Sequence, residues 1–506
     1  MPEKFYVTTS IAYVNAKPHI GFAMEVIQAD VLARYHRLKG DDTFYLTGTD
    51  EHGMKLVQTA NEQGITPQEL VDGNAAHFKA LKEKLNLSND GFVRTTDAGH
   101  MAGAGKIWKK MADKGDIYKD SYEGLYCVGC EAFVLEKDLV EGKCPNHNKV
   151  PEKLKEENYF FRLSKYTDEV RKAIETDRLR IVPESRKHEI LSVLKEGLKD
   201  VSFSRPKKVL QWGIEVPDDP DHVMYVWCDA LSNYITAIGY GEETEQFARF
   251  WPANVHLIGK DILRFHAAIW IGMLISADLP LPKAVYVHGY ITSEGKKMSK
   301  SLNNVVDPTE YVDKYGRDAL RYYLLKEIPT TDDGDFSKER FNIVYGSELA
   351  NNIGNLVSRI LAMTVKYFDG KVPEADKSEG IFKPEAEKVW KEYDRAIAAF
   401  DLKKALEQVV EFSSYANKFV DDTKPWVLAK GDQKELARVI YALLEMIRQI
   451  AMMLLPFLPE TSGKILAYMG IDPVKTVLPR DAAWGVLEQG KPVQKAEPLF
   501  GRIEPA

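Results

Sequence analysis

Four cysteines in 506 residues are too few for a disulfide framework, and three of them fall in one short stretch. That usage fits a reducing compartment, and the cytoplasm is the expected location. Long apolar runs are missing as well. The longest, residues 267–277, stops at Asp278, well short of the roughly 18 residues a membrane span needs. The opening residues, MPEKFYVTTSI, lack the basic start and apolar core of a secretory leader. Positive charge is not in excess either: 68 Lys and Arg stand against 75 Asp and Glu, a formal net charge of −7. A blanket polyanion binder is therefore excluded, and any nucleic-acid partner must be met by local basic and aromatic patches. No repeat of solenoid period is present. The length suffices for about two to four domains with substantial cores.

The pattern that is present is β-α-β, twice. Residues 5–11 form a short β-prone run. After the loop AYVNAKPHIG, an amphipathic helix carries Ile27, Val31, Tyr35 and Leu38 on one face and ends near Gly40, and residues 43–49 read as the next strand. The second unit has strand-like residues 255–258, a helix over 262–276 and a strand over 284–291. Two such units predict an α/β fold: a doubly wound, Rossmann-like parallel sheet with its ligand at the carboxyl ends of the strands. A long insertion with the cysteines separates them. Beyond about Lys338 strand signals fade, and helical periodicity over 384–400, 402–420 and 433–455 predicts an all-α bundle. The tail from Gly490 reads as an extended strap or a frayed end.

His19-Ile20-Gly21-Phe22 lies between the first strand and its helix. Gly21 permits close backbone approach, and the helix start offers unpaired N–H groups to an anion. Alone, the motif is equally compatible with an ordinary loop histidine. Lys296-Lys297-Met298-Ser299-Lys300-Ser301 follows the last strand of the second unit, after Gly295. A mobile loop of lysines there suits a triphosphate clamp, although a charge run by itself is more often a solvated turn. The two motifs occupy the same relative place in the two units, so they are candidates to face one ligand across the switch point. Cys127-Val-Gly-Cys130 and Cys144-Pro-Asn-His147 are ligand pairs at the spacing of a tetrahedral zinc knuckle, with three thiolates and one imidazole. With every position filled by protein, one zinc ion would be structural. Cys228 stands apart and suits a small buried or pocket-wall residue.

HIGF and KMSKS together resemble the two signatures of the class I aminoacyl-tRNA synthetases, with Phe22 in place of the usual second histidine. The resemblance narrows through Ser10-Ile11-Ala12-Tyr13, Thr49-Asp50-Glu51-His52-Gly53, Tyr225–Tyr234, Gly259-Lys260-Asp261 with His266, and the zinc knuckle. Over nearly the whole chain it is to the methionyl-tRNA synthetases; the leucyl, valyl and isoleucyl relatives would need a large editing insertion. The resemblance implies a catalytic domain built from residues 1–115 and 223–290, with a connective insertion over 116–222. A region with the KMSKS loop follows at 291–345, then a helical anticodon-binding domain and strap at 346–506.

The activity implied is condensation of methionine with ATP to methionyl-adenylate, then transfer to the 3′-terminal ribose of tRNA(Met), at the 2′-hydroxyl. His19 would meet the α-phosphate, Lys297 and Lys300 the β- and γ-phosphates, and Arg205 would support the same charge. Gly21, Gly259, Asp261, His288 and Gly289 would complete the ATP site, with Asp261 at the ribose and Mg²⁺ accompanying ATP. Ser10, Ile11, Tyr13, Trp227, Ala230, Tyr234, Ile262 and His266 would enclose methionine, whose flexible thioether suits such walls. Asp50 would hold its ammonium. Aromatics at the spacing of 225–234 are, taken bare, more often core. In the bundle, Asn355, Arg359 and Trp426 would read the CAU anticodon, though Trp426 on pattern alone would be a core residue. A monomer is expected. Two other classes compete: a small-molecule nucleotidyltransferase, which needs neither knuckle nor bundle, and an inactive RNA-binding protein, which would not need an intact lysine loop.

Overall fold

The computed structural model describes residues 2–128, 132–134, 136–145, 148–242, 244–298, 304–375 and 382–501. Its main sheet has seven strands, all in parallel pairs. Lys4–Thr9 lies between Asp42–Asp50 and Val255–Gly259; Ala284–His288 follows on the far side, and Arg180–Val182 and Gly91–Arg94 take the edges. The chain winds outward in both directions from the Lys4–Thr9/Val255–Gly259 pair, so the switch point lies there. Ser10, Asp50, Gly259 and His288 all sit at carboxyl ends beside it.

Three local details differ from the sequence expectation. The first strand stops at Thr9, and Ala12–Tyr13 resumes pairing on the same edge of Asp42–Asp50 with a one-residue shift, from Thr8↔Leu46 to Ala12↔Thr49. Such a bulge re-aims the residues inside it, here Ser10 and Ile11. The expected helix over 262–276 begins as a 3₁₀ turn at Lys260–Ile262, passes through a π-helical turn at Phe265–Ile269 and becomes α-helical only at Trp270–Ser276. The expected strand over 284–291 ends at His288. Ile291–Ser293 instead pairs with Lys296–Lys297 and Gly334–Phe336 in a separate small sheet, and the turn at Glu294 and Gly295 takes φ of 49° and 73°. Lys296 and Lys297 thus belong to a separate hairpin.

The connective region is a four-stranded antiparallel sheet dominated by the long ladder of Ile117–Cys127 with Glu152–Phe161. The insertion expected over 116–222 is not continuous, because Arg180–Val182 returns to the main sheet beside Ala284–His288. Three residues are too few to display a period, which is why sequence alone does not reveal that strand.

Beyond Lys338 the chain is helical, with Asn355–Phe368, Lys383–Ala398, Leu402–Thr423, Gln433–Leu454 and Pro459–Tyr468 around a common core. That core is continuous with the helix Ile20–Leu38 through Leu320 and Leu324 of Arg317–Lys326. At the junction Arg321 and Asp30 form a fully buried ion pair of 2.8 Å. Arg321 also donates to the carbonyls of Phe457 (2.7 Å), Pro456 (3.0 Å) and Leu85 (3.2 Å). The tail is a strap: Gly490 N–H donates to the Val372 carbonyl (2.9 Å), Val493 N–H to Gly370 (2.7 Å) and Gln494 N–H to Tyr468 (2.8 Å). Among the described residues no helix is long and apolar enough to cross a membrane.

Candidate active site

His19 is the N-cap of the helix Ile20–Leu38, with extended backbone (φ −115°, ψ 174°). The Gly21 N–H donates to its Nδ1 at 3.0 Å. With Nδ1 accepting, the neutral ring carries its proton on Nε2, a donor at a helix N-terminus beside the switch point. His19 keeps an exposed edge, but the protein packed around the rest of the ring desolvates it and lowers its pKa, which favours the neutral form. A side chain at position 21 would place Cβ 2.9 Å from Cε1 and 3.0 Å from Nδ1 of this ring. Glycine is required there for the imidazole to fold over the first turn. Phe22 packs edge-on against Phe78, centroids 5.1 Å apart, within an apolar cluster with Val14, Leu56 and Val71. It therefore serves packing.

Across the switch point the structure brings Gly259, Asp261 and His288 together: a Cβ at Gly259 would lie 3.0 Å from Asp261 Oδ1 and 3.8 Å from His288 Nε2. His288 Nε2 bonds Glu25 Oε2 (2.8 Å), and its Nδ1 faces the Gly289 carbonyl (2.8 Å). Burial works against charge on this ring, but the bond to Glu25, the carboxylate's field, the Gly289 carbonyl and Asp261 outweigh it and raise the pKa. Glu25 Oε1 accepts from Ser10 Oγ at 2.6 Å. Glu25 therefore ties both halves of the site. Sequence reasoning missed it, although an acidic residue between Met24 and Val26 on a buried helix was a usable signal. Gly289 accommodates the crossing chain: a Cβ would lie 2.2 Å from the Asp332 backbone. Lys297 is exposed, and its carbonyl accepts from Asn304 Nδ2 (3.2 Å). Lys300 lies outside the described residues.

Tyr13 pairs with Asp50 in the sheet. Tyr234 OH bonds His266 Nε2 at 2.6 Å, while His266 Nδ1 faces the Ile262 carbonyl at 3.0 Å. The carbonyl can only accept, so Nδ1 carries the proton and Nε2 accepts from the tyrosine. Burial lowers the His266 pKa to about 4, which keeps this wall uncharged. Trp227 stacks on Phe265 (3.7 Å between centroids, 11° between planes). Ile11, Tyr13, Trp227 and Ile262 are partly buried against the same core that contains Tyr234, and Ala230 is buried. Ile11, Tyr13, Trp227, Tyr234 and Ile262 thus share one apolar cluster, with His266 tied to it through Tyr234.

Arg205 lies on the short strand Ser204–Pro206. It is buried, donates to Ser202 Oγ (2.8 Å) and the Ser204 carbonyl (2.9 Å), and lies over the rings of Tyr126 (4.9 Å) and Tyr225 (5.0 Å). Its contacts join the strand that ends in Cys127 to the segment that leads to Trp227. Cys127 and Cys144 are both 2% exposed. Cys144 lies on a tight loop in which its N–H donates to the Lys149 carbonyl (2.9 Å) and its carbonyl accepts from Asn148 N–H (2.8 Å). Cys130 and His147 lie outside the described residues, and among the described residues alone no group of three metal ligands occurs.

In the bundle, Asn355 is exposed at the start of its helix, directly after the π-helical segment Tyr345–Gly354. Arg359 bridges to Asp421 at 2.8 Å. Trp426 is 41% exposed, so it is not the core residue that pattern alone suggested. The Arg359–Asp421 bridge brings Arg359 to the end of Leu402–Thr423 that leads into Pro425–Leu428, the short helix of Trp426.

Comparison with known proteins covers the same two halves. A family model described as tRNA synthetases class I (M) matches residues 5–152 and 147–361, and one for the anticodon binding domain of methionyl tRNA ligase matches 372–506. The methionine–tRNA ligase of Thermotoga maritima is 46% identical over 99% of this chain and 80% of its own length. That of Rhizobium meliloti is 43% identical over 98% of each chain. The structure of Mycobacterium tuberculosis methionyl-tRNA synthetase in complex with methionyl-adenylate superposes with a TM-score of 0.95 at 39% identity, over 99% of this chain and 100% of that one. The apo form of the same enzyme gives 0.88 at 37% identity, over 100% and 99%. A switch-point site with a donor histidine, a helical bundle with an exposed tryptophan, and full-length similarity to one set of enzymes converge, and the chain belongs to the methionine–tRNA ligases of class I.

Proposed function

We propose that the chain joins methionine to tRNA(Met) in two steps, both organised at the switch point. The methionine carboxylate attacks the α-phosphorus of ATP, the bond to the bridging oxygen breaks, and pyrophosphate leaves. A terminal ribose hydroxyl of the tRNA then attacks the adenylate carbonyl and AMP departs. No covalent enzyme intermediate is needed, so catalysis is positioning plus charge stabilisation. The observation that carries the reading is the Gly21 N–H bond to His19 Nδ1, which leaves Nε2 of the neutral ring as the donor. It would meet an α-phosphate oxygen as negative charge grows, reinforced by the helix N-terminus. Asp261 would accept from the ribose, with the His288–Glu25 pair as a polar floor beside it. Lys297 and Lys300 would meet the outer phosphates, and Mg²⁺ accompanying ATP would share their charge. Asp50 would hold the ammonium, and Trp227, Tyr234 and His266 the thioether end. Arg205, from its buried contacts, acts by holding the connective sheet beneath the Trp227 segment. The domain limits at 115, 222, 290 and 345, with Arg180–Val182 returned to the catalytic sheet, complete this reading, in the cytoplasm. Methionine-dependent exchange of pyrophosphate into ATP, with other amino acids as controls, tests it. Exchange that ignores methionine favours a nucleotidyltransferase, and no exchange at all favours an inactive RNA-binding protein.

Zinc fits the connective region through its donor chemistry: two buried thiols, Cys127 at a strand end and Cys144 on a tight loop, with Cys130 and His147 at matching spacing. The ion would be held by these four residues and would be structural. Metal analysis of reduced, folded protein is expected to find one zinc per chain. Cys130→Ala or His147→Ala should weaken its retention against a chelator while the bundle melts normally.

The exposure of Trp426 supports an anticodon platform. Trp426→Ala should cost about 1–3 kcal/mol of tRNA binding through lost stacking, with pyrophosphate exchange and melting unchanged. Gel-shift titration and exchange on one preparation check it; early melting of the bundle would mark a structural role instead.

A further inference from the structure

The segment that carries Trp227 and Tyr234 is poorly able to hold itself. It consists of two short helices, Val226–Leu231 and Asn233–Thr236, neither with a side-chain cap, and helices of one turn or two are marginal without tertiary support. It also contains two buried polar atoms, Trp227 Nε1 and Asn233 Oδ1, that lack hydrogen-bond partners among the described residues. Beside the Tyr234–His266 bond and the Trp227–Phe265 stack, its polar support comes from a carboxylate of its own. Asp229 is fully buried, and both its oxygens are used: Oδ2 bonds His52 Nδ1 at 2.6 Å and Oδ1 bonds His100 Nε2 at 2.7 Å. His100 Nδ1 continues the chain to Thr236 Oγ1 at 2.8 Å, back on the same segment. Burial opposes ionisation of Asp229, but the field and bonds of His52 and His100 prevail and its pKa is lowered. The carboxylate is a charge gripped from two sides.

The three residues come from distant stretches. His52 lies two residues past Asp50, Asp229 two residues past Trp227, and His100 on the helix Ala98–Asp113. We propose that Asp229 is a positioning residue for the amino-acid pocket. By clasping His52 and His100 it fixes the distance between the carboxylate that holds the methionine ammonium and the aromatic wall that encloses the side chain. This rests on the assignment of Asp50 and Trp227 to methionine. Asp229 touches no substrate, and its effect is exerted through its neighbours. A charge-assisted bond buried this well is strong, and small displacements of aligned groups are costly.

The test is steady-state pyrophosphate exchange by the full chain with methionine and ATP varied separately. Asp229→Asn keeps the shape but cannot accept at both oxygens, so KM for methionine should rise about ten- to hundredfold, while KM for ATP stays within about twofold of wild type. His100→Leu should reproduce the methionine defect, and His100→Gln, whose amide N–H reaches the place of Nε2, should restore much of the affinity. Asp229→Asn with wild-type KM for methionine overturns the proposal, as does an equal defect in His100→Leu and His100→Gln. If Asp229→Asn fails to fold, the His100 pair decides. Asp50→Asn and Trp227→Ala are measured alongside. If they leave methionine KM unchanged, the underlying pocket assignment has failed; if they raise it and Asp229→Asn does not, only the clasp has.

Discussion

His19→Ala should slow methionyl-adenylate formation by about two to three orders of magnitude, close to 3–4 kcal/mol of transition-state stabilisation. Two functions are lost at once. The Nε2–H no longer meets charge developing on the α-phosphate, and Gly21 N–H loses its 3.0 Å acceptor. The cap alone contributes about 0.5–2 kcal/mol to folding, so Ala mixes a catalytic and a structural defect. His19→Asn separates them, because its Oδ1 can cap while nothing replaces the donor at Nε2. Asn should therefore melt like wild type and still lose most of the exchange rate, with KM for methionine little changed. An active His19→Asn enzyme would remove this histidine from the chemistry. The pH dependence has a definite sign. The folded pKa lies below the ordinary imidazole value because of desolvation, so the cap is fully present above that value. It is lost as pH falls through the lowered one, when Nδ1 gains a proton and can no longer accept. Wild type should show this acid-side loss of stability, and His19→Asn should lack it.

Arg321→Leu should destabilise the protein by about 3–5 kcal/mol, the range for breaking a buried pair from one side. Asp30 keeps Arg34 (2.8 Å) and both donors of Ser88 (2.6 Å each). The carbonyls of Leu85, Pro456 and Phe457, however, lose the guanidinium that joins them. Because this node links the helix that starts at His19 to the bundle, calorimetry should show the melting transition broaden or split. Replacing both members, Asp30→Leu with Arg321→Met, should recover part of the loss, since apolar partners of similar volume leave no stranded charge. A double variant no better than Arg321→Leu would show that the backbone carbonyls, not the carboxylate, are what the arginine serves. Asp30 adds its own pH signature. Burial pushes its pKa up, but Arg34, Arg321 and Ser88 pull it below the usual carboxylate value. Its contribution is present above the ordinary Asp pKa and is lost as pH falls through the lowered one.

Much of this was legible from the chain of letters because it is local. The N-cap geometry of His19 spans three residues, so His-Ile-Gly could be recognised without a fold. Cys127–Cys130 and Cys144–His147 share a two-residue gap, the local spacing on which the zinc proposal rests. The helices of the bundle repeat an apolar face over about three to six turns, and Gln433–Leu454 matches the expected 433–455 within one residue. The placement of Asp50 and Gly259 at carboxyl ends followed from recognising two β-α-β units, since the handedness of such units leaves little choice, whereas His288 fell inside the expected strand 284–291 and only the structure put it at the end.

What only the tertiary structure decided is the distant partner of several buried charges. Glu25 meets His288 across 263 positions, Asp229 meets His52 across 177 and His100 across 129, and Asp30 meets Arg321 across 291. Nothing near any of these residues in sequence names its partner, because the pairing depends on which elements pack and at what register. The same holds for the three-residue strand Arg180–Val182, which has no period to display and is held by the neighbour it finds. It holds for Arg205, whose contacts with the rings of Tyr126 and Tyr225 no local pattern announces. Trp426 is the converse case: its letter suggested burial, and the turn after Leu402–Thr423, with Lys424 at φ 46°, leaves it in solvent. Sterics and periodicity act over a few residues and are written in sequence. Desolvated charges and exposed rings are settled by the packing of distant segments, which is where burial is set.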